Sequence, residues 1–186
     1  MKPALVVVGL GNPGASYTLT RHNAGFQAID ALSDEFGEGD WKDAQKFLSE
    51  SQDGRIVTVP ILFCKPRTYM NRSGEAIRKL VDFYKLDPKE QILVLCDDID
   101  LPLGTFRLRM KGGPGTHNGL KSVVEQLGED FPRLRVGIGP KPATGDLSTW
   151  VLNRFSEEEV GVLAKTFQEL PALLKKFVME RAENGD

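Results

Sequence analysis

Residues 5 to 14, LVVVGLGNPG, constrain the fold more than any other stretch, because four branched apolar residues running straight into three glycines describe a buried strand ending in a sharp turn. A strand apolar on both faces needs cover on both, which is the setting of an α/β sheet. Gly9-Leu10-Gly11-Asn12-Pro13-Gly14 also fits the G-x-G-x-x-G spacing of a dinucleotide-binding turn. That fingerprint needs a helix opening inside the glycines and an acid about 20 residues on, at the end of a second strand. Only the strand is clearly present. Pro13 leads into the polar segment ASYTLTRHN, and the acid in range, Asp30, falls inside a helical pattern. A dinucleotide-binding oxidoreductase is therefore the weaker reading, and a loop carrying active-site side chains the alternative.

Along the rest of the chain, strand and helix patterns alternate. Phe26, Ile29, Leu32 and Phe36 recur at helical spacing and predict a helix over 22–36. Residues 44–51 and 55–64 read as strands around Asp53-Gly54, a dipeptide suited to a tight hairpin turn. A helix over 71–84 follows, ended by Leu86-Asp87-Pro88, and then a strand over 92–96. In 105–110, Phe106, Leu108 and Met110 alternate with Arg107 and Arg109 as in a half-buried strand. Lys111 to Gly119 is too glycine-rich for regular structure; a helix over 120–127 and a strand over 133–138 come next. Ser156-Glu157-Glu158-Glu159 spells a capping box that opens a long helical region with Val160, Leu163, Phe167, Leu170, Leu174 and Phe177 inward, divided by Pro171. These patterns predict one α/β domain over 1–186, with a mixed, mostly parallel twisted sheet flanked by helices.

Hydrophobic residues make up 40% and charged residues 27%, an ordinary globular composition. The N-terminal apolar run is too short for a membrane span or a signal peptide, so the expectation is a cytoplasmic protein without a membrane partner. No exposed apolar stripe is obvious, which predicts a monomer. Cys64 and Cys96 lie in apolar strand runs and read as unpaired core thiols. No C-x-x-C or H-x-x-x-H pair supplies local ligand geometry, so no metal is expected.

Both histidines precede asparagine and then a small residue, as His22-Asn23-Ala24 and His117-Asn118-Gly119, and both fall after strands at the rim where α/β sheets place their sites. The bland alternative is a helix-start residue and a loop residue satisfied by backbone. A histidine near its usual pKa of about 6.5 is mostly neutral at neutral pH and can take a proton from water. A carboxylate can fix its tautomer, and in Cys96-Asp97-Asp98-Ile99-Asp100 the first acid beyond the apolar run, Asp97, is best placed to do so. Asp98 and Asp100 look like turn residues. Asn12, Asn71 and Asn118 sit by glycine-rich or loop turns, where an amide can orient a carbonyl or a water, or merely shape the turn. The net charge of −2 hides local basic faces: Arg107 with Arg109, Arg133 with Arg135, and Lys111 and Lys121 around the glycine loop. A solvated polar face is the alternative there.

Taken together, GLGNPGASYTLTRHNAGF, KPRTYMNRSGEAI, DDIDLPLGTFRLRMKGGPGTHNGLKSV and RLRVGIGP, with WVLNRF near residue 150, closely resemble the bacterial-type peptidyl-tRNA hydrolases. The resemblance implies hydrolysis of the ester joining a peptide to the 3′ end of tRNA, without cofactor or metal, on peptidyl-tRNA engaged through its acceptor arm. It implies that His22 is the base activating water, that Asp97 holds it in its proton-accepting form, and that Asn12 distinguishes N-blocked from free aminoacyl-tRNA. It further implies substrate contacts for Tyr17, Tyr69, Asn71 and Asn118, a pocket wall at Met70, a supporting role for His117, and basic contacts to tRNA from Arg109 and Arg135. Thr116 stands where glycine is usual before HNG, and Pro114 departs from the pattern in the same loop. A catalytically silent RNA-binding module on the same fold is the rival reading.

Overall fold

The structure is a computed structural model, and it describes residues 1–184. Seven strands form one sheet: β1 (Leu5–Gly9), β2 (Gly37–Ala44), β3 (Ser49–Ile56), β4 (Val59–Pro66), β5 (Ile92–Pro102), β6 (Phe106–Arg109) and β7 (Arg133–Gly139), in the order β2-β3-β4-β1-β5-β7-β6. Around them lie α1 (Ala24–Phe36), α2 (Ser73–Tyr84), α3 (Pro88–Gln91), α4 (Asn118–Leu127), α5 (Leu147–Val151), α6 (Glu157–Phe167) and α7 (Leu170–Asn184). The mixed α/β sheet is as expected from sequence. Parallel pairing holds only among its four central strands, in three of the six pairings, and both edges are antiparallel. At one edge β2, β3 and β4 form an antiparallel meander; at the other, β6 follows β5 after a short turn and pairs antiparallel with β7, with α4 in the connection between β6 and β7.

Every residue of β1 is buried, and its side chains divide between two cores. Leu5 and Val7 pack with α1 and α7 on one face; Val6 and Val8 pack with α2 and α4 on the other. This two-sided cover is what an uninterrupted apolar strand requires. At the end of β1 the backbone of α1 comes so close that a Cβ on Gly25 would meet the carbonyl oxygens of Leu10 and Leu95 at 2.5 Å. Only glycine permits that approach, which seats the first turn of α1 directly over the ends of β1 and β5.

Three local expectations are corrected. Asp53-Gly54 lies inside β3, paired with Leu62 and Ile61, and the hairpin turns at Val57-Thr58 instead. Packing decides here: Gln52, Gly54 and Ile56 face inward, and a side chain on Gly54 would strike the Phe63 ring. The second is β6, an edge strand paired only with β7, so Leu108 and Met110 are exposed rather than half-buried. The third is Val160, 41% exposed on the outer side of α6, whereas Leu163, Leu170, Leu174 and Phe177 are buried as expected. The capping box is present in both directions: Glu159 N–H donates to Ser156 Oγ at 3.1 Å and Ser156 N–H donates to Glu159 Oε1 at 2.9 Å.

Candidate active site

The C-terminal ends of the parallel strands open into a cleft of about 520 Å³. Asn12 reaches it from the loop after β1, Met70 and Asn71 from the loop after β4, Asp97 from β5, Arg135 from β7, and His117 and Asn118 from the start of α4. Leu147, Ser148, Val151 and Leu152 of α5 and its end form the remaining wall. A larger depression, about 1130 Å³, lies at the opposite end of the sheet beside Thr58, Lys89 and Arg181. It holds neither histidine and no buried carboxylate, so the chemistry belongs to the smaller cleft.

Asp97 is 4% exposed and lies between the two imidazoles. Nδ1 of His22 is 3.0 and 3.1 Å from its two oxygens, and Nε2 of His117 is 2.8 Å from Oδ1. The backbone fixes the tautomer of one ring. Leu120 N–H donates to Nδ1 of His117 at 3.1 Å, capping α4, so that nitrogen carries the lone pair and Nε2–H donates to Asp97. With Asp97 accepting, His22 donates from Nδ1 and keeps the lone pair on Nε2. His22 lies in the 3-10 turn Arg21–Asn23, immediately before α1.

Burial by itself would raise the Asp97 carboxyl, but His117 and His22, by charge and hydrogen bond, outweigh it and hold the group well below the usual carboxylate range. For His22, burial pulls the pKa down, yet the charge and hydrogen bond of Asp97 prevail and raise it above 6.5. The donor atoms of these three residues lie within 4.8 Å of one another, close enough to raise the question of a metal. The geometry is that of hydrogen bonds: the carboxylate oxygens and the nitrogens facing them already satisfy each other, and the second nitrogen of His117 is taken by Leu120. The donor set does not fit a cation.

Asn12 is clamped on both sides. Its backbone N–H donates to Asn23 Oδ1 and its carbonyl accepts from Asn23 Nδ2, each at 2.9 Å, while its own Oδ1 accepts from Met70 N–H at 2.8 Å. With the amide oxygen engaged, the NH2 end is left for the cleft. The Met70 bond also holds a strained turn, since Tyr69 sits at φ 61° and ψ 160°, a region almost reserved for glycine. Across from it, Gly119 gives room: a Cβ there would meet Met70 Sδ at 2.5 Å and His117 Cε1 at 2.9 Å.

Known proteins match this chain over nearly its whole length. The family model described as Peptidyl-tRNA hydrolase matches residues 6–185. The chain belongs to the peptidyl-tRNA hydrolase family. A peptidyl-tRNA hydrolase of Alkaliphilus oremlandii is 46% identical over 94% of this chain and 93% of that protein. The chloroplastic peptidyl-tRNA hydrolase of Arabidopsis thaliana is 47% identical over 88% of this chain, which spans only 56% of the plant protein. The crystal structure of peptidyl-tRNA hydrolase from Acinetobacter baumannii superimposes with a TM-score of 0.89 at 36% identity, covering 99% of this chain and 93% of that one.

Of the residues singled out from sequence, the peptidyl-tRNA hydrolase fold brings Asn12, His22, Met70, Asn71, Asp97, His117, Asn118 and Arg135 to one cleft. Tyr17 and Tyr69 pair edge to face beside it, with ring centroids 6.4 Å apart. Arg109 is not in the cleft; it lies exposed on β6, opposite Arg133. Arg135 reaches Asp98 Oδ2 at 3.4 Å and the Gly113 carbonyl at 3.3 Å, tying the glycine loop to β5. Asp98 Oδ1 accepts from Asp100 N–H, but both residues lie within β5 rather than in the turn expected of them. The glycine reading of Gly9 to Gly14 as a nucleotide cradle fails: 3-10 turns at Ala15–Tyr17 and Arg21–Asn23 intervene before α1, and Asp30 on α1 faces Lys65. Both cysteines are buried, and burial pushes their thiols far above the ordinary range, with Asp53 adding to Cys64 and Asp97 to Cys96. Two features escaped sequence reasoning. Asn23 was visible in the repeated His-Asn pairs but without an assigned task. The α5 wall carried a signal in Asp146, whose Oδ1 accepts from Ser148 N–H as an N-cap.

Proposed function

We propose that the protein hydrolyses the ester between the peptide and the 3′ end of tRNA by direct attack of water, with His22 as general base. The pairing of His22 Nδ1 with the buried Asp97 carboxylate carries this reading, because it leaves Nε2 as the free lone pair of a ring whose basicity is raised above the ordinary value. Water on Nε2 loses its proton as it attacks the ester carbonyl. Asp97 stabilises the imidazolium formed, which gives its proton to the ribose oxygen as the tetrahedral carbon collapses and the C–O bond breaks. Asn12, with its NH2 end unengaged, is suited to the peptide side of the ester, and Asn71 and Asn118 offer further amides at the mouth. No thiol nucleophile is needed, and the buried cysteines are unsuited to be one.

Tyr17, Tyr69 and Met70 are read as contacts to the substrate flanking the scissile bond, and His117 as the group that holds Asp97. Arg109 and Arg135 are read as phosphate contacts on the acceptor arm, which would bind tRNA without reading bases. The single sheet with its two cores supports one domain, and a monomer is the oligomeric state read with it. No helix among the described residues is long and apolar enough to cross a membrane. Action in the cytoplasm completes the reading. A silent RNA-binding module would have no use for a base and a buried carboxylate held in register.

Single-turnover hydrolysis of an N-acetylated aminoacyl-tRNA, with the unblocked form as control, tests the proposal. Wild type is expected to cleave the blocked substrate in strong preference, and His22→Ala to lose turnover while still folding and binding tRNA. Near-normal hydrolysis by His22→Ala would sink the base assignment.

A further inference from the structure

The guanidinium of Arg21, next in sequence to His22, is 12% exposed and sits among four groups from the far end of the chain. It stacks over the Trp150 ring at 4.4 Å and lies 5.8 Å from the Phe155 ring. Its Nη1 donates to the Trp150 carbonyl at 3.3 Å and its Nη2 to Glu159 Oε1 at 3.0 Å. Nε is buried without a partner, so the two terminal nitrogens and the aromatic faces set the position of the fork. The backbone repeats the link: Arg21 N–H donates to Asn153 O, Phe155 N–H to Leu19 O, and Thr20 pairs with Arg154.

Trp150 belongs to α5, the helix whose Leu147, Ser148 and Val151 wall the cleft, and Glu159 is the carboxylate of the α6 capping box. We propose that Arg21 is a positioning residue that locks the α5 wall to the turn bearing His22, so that wall and base keep one fixed spacing. The proposal rests on His22 acting as base. The aromatic contact and the two separate hydrogen bonds, to the Trp150 carbonyl and to Glu159, together resist sliding of α5 along the cleft, and a lysine could supply the charge but neither the plane nor the fork. Misplacement of a base by a fraction of an ångström is enough to slow the chemical step strongly.

The chain has two tryptophans, so a Trp41→Phe background leaves Trp150 as the sole reporter. Acrylamide quenching of its fluorescence then reads the mobility of α5 without reference to turnover. In that background Arg21→Met should raise the quenching constant about twofold and lower kcat on N-acetylated aminoacyl-tRNA about tenfold, with KM little changed. Glu159→Gln, which keeps an oxygen for the capping box, should move both readouts the same way by less, and it decides the matter if Arg21→Met does not fold. Parental quenching in a folded variant overturns the proposal, and so does raised quenching with parental kcat. Failure of the parent protein to hydrolyse the blocked substrate would instead remove the base assignment, leaving the quenching to judge the link alone.

Discussion

Replacing Asp97 by asparagine tests the logic of the site more sharply than removing the base. The carboxylate accepts from two rings, at 3.0 and 3.1 Å from His22 and 2.8 Å from His117, and it is 4% exposed, so no water takes over when it changes. An asparagine fits the same volume but turns one acceptor into a donor. His117 cannot adapt, because its Nδ1 is held by Leu120 N–H, so its Nε2–H claims the remaining oxygen. The new NH2 must then face Nδ1 of His22, which can only accept if the ring moves its proton to Nε2. That tautomer has no lone pair for water. The expected loss is that of general-base catalysis, about 10²–10⁴-fold in kcat, equivalent to about 3–5 kcal/mol on the barrier. Rapid-quench single-turnover cleavage of an N-acetylated aminoacyl-tRNA measures it. Because Asp97 works only through His22, the double variant His22→Ala/Asp97→Asn should be no slower than His22→Ala. Multiplying losses, or an Asp97→Asn enzyme within a few-fold of wild type, would refute the reasoning.

Four other outcomes can be checked, one of them by denaturation and without substrate. His22 must be neutral to act, so kcat/KM should rise with pH along a limb centred above 6.5, and burial without the carboxylate should bring the titration of the His22 ring, followed by NMR, below that value in Asp97→Asn; an unmoved ring titration would separate it from this pair. The same pair stabilises the fold: the raised His22 contributes below 6.5 and loses its part as pH climbs through its folded value, while the lowered Asp97 contributes above 3.8 and loses its part in acid. Denaturant titrations should therefore show Asp97→Asn more destabilising near about pH 5 than near about pH 9. Asn12→Ala removes the acceptor that holds Met70 N–H and the turn strained at Tyr69, and is expected to cost about 1–2 kcal/mol of stability and to narrow the preference for blocked over unblocked substrate. Arg109→Ala with Arg135→Ala should weaken tRNA binding, with a shallower salt slope, more than it slows chemistry; a pure kcat loss at constant KM would contradict the phosphate assignment.

Much of the frame was legible because it depended on periodicity. The all-apolar β1 and the apolar first half of β5, Ile92 to Cys96, required cover on two faces, and the 3.6-residue spacing in α1 and α2 supplied it. What periodicity could not show was decided by neighbours distant in sequence. Asp53-Gly54 has the local chemistry of a turn, but Gly54 is used where the Phe63 ring and the Phe36 carbonyl leave no room for a side chain. β6 alternates like a half-buried strand, yet its place at the sheet edge keeps only Phe106 against the core and leaves Leu108, with Met110 beyond it, in solvent. β2, with Gly37, Glu38, Gly39 and Asp40, has no strand signature at all and exists because β3 offers it an edge.

The site divides along the same line, and the division explains why it can be built from so few residues. Types and spacing pointed to His22, Asp97 and the asparagines, since each brings a group whose chemistry is readable alone. Beyond the pairing of Asp97 with His22, the relations between them were not readable. That His117 donates to Asp97 from Nε2 follows only from a backbone N–H three residues on; that Asn12 offers its NH2 follows only from the N–H of Met70, 58 residues away. In each case a main-chain group consumes one end of an ambivalent side chain and thereby fixes what the other end can do. Imidazole and amide are the side chains that can be set in this way, because each can both donate and accept. A cleft lined with them takes its polarity from the surrounding backbone, and the sequence of the loop alone cannot reveal that polarity before the strands are paired.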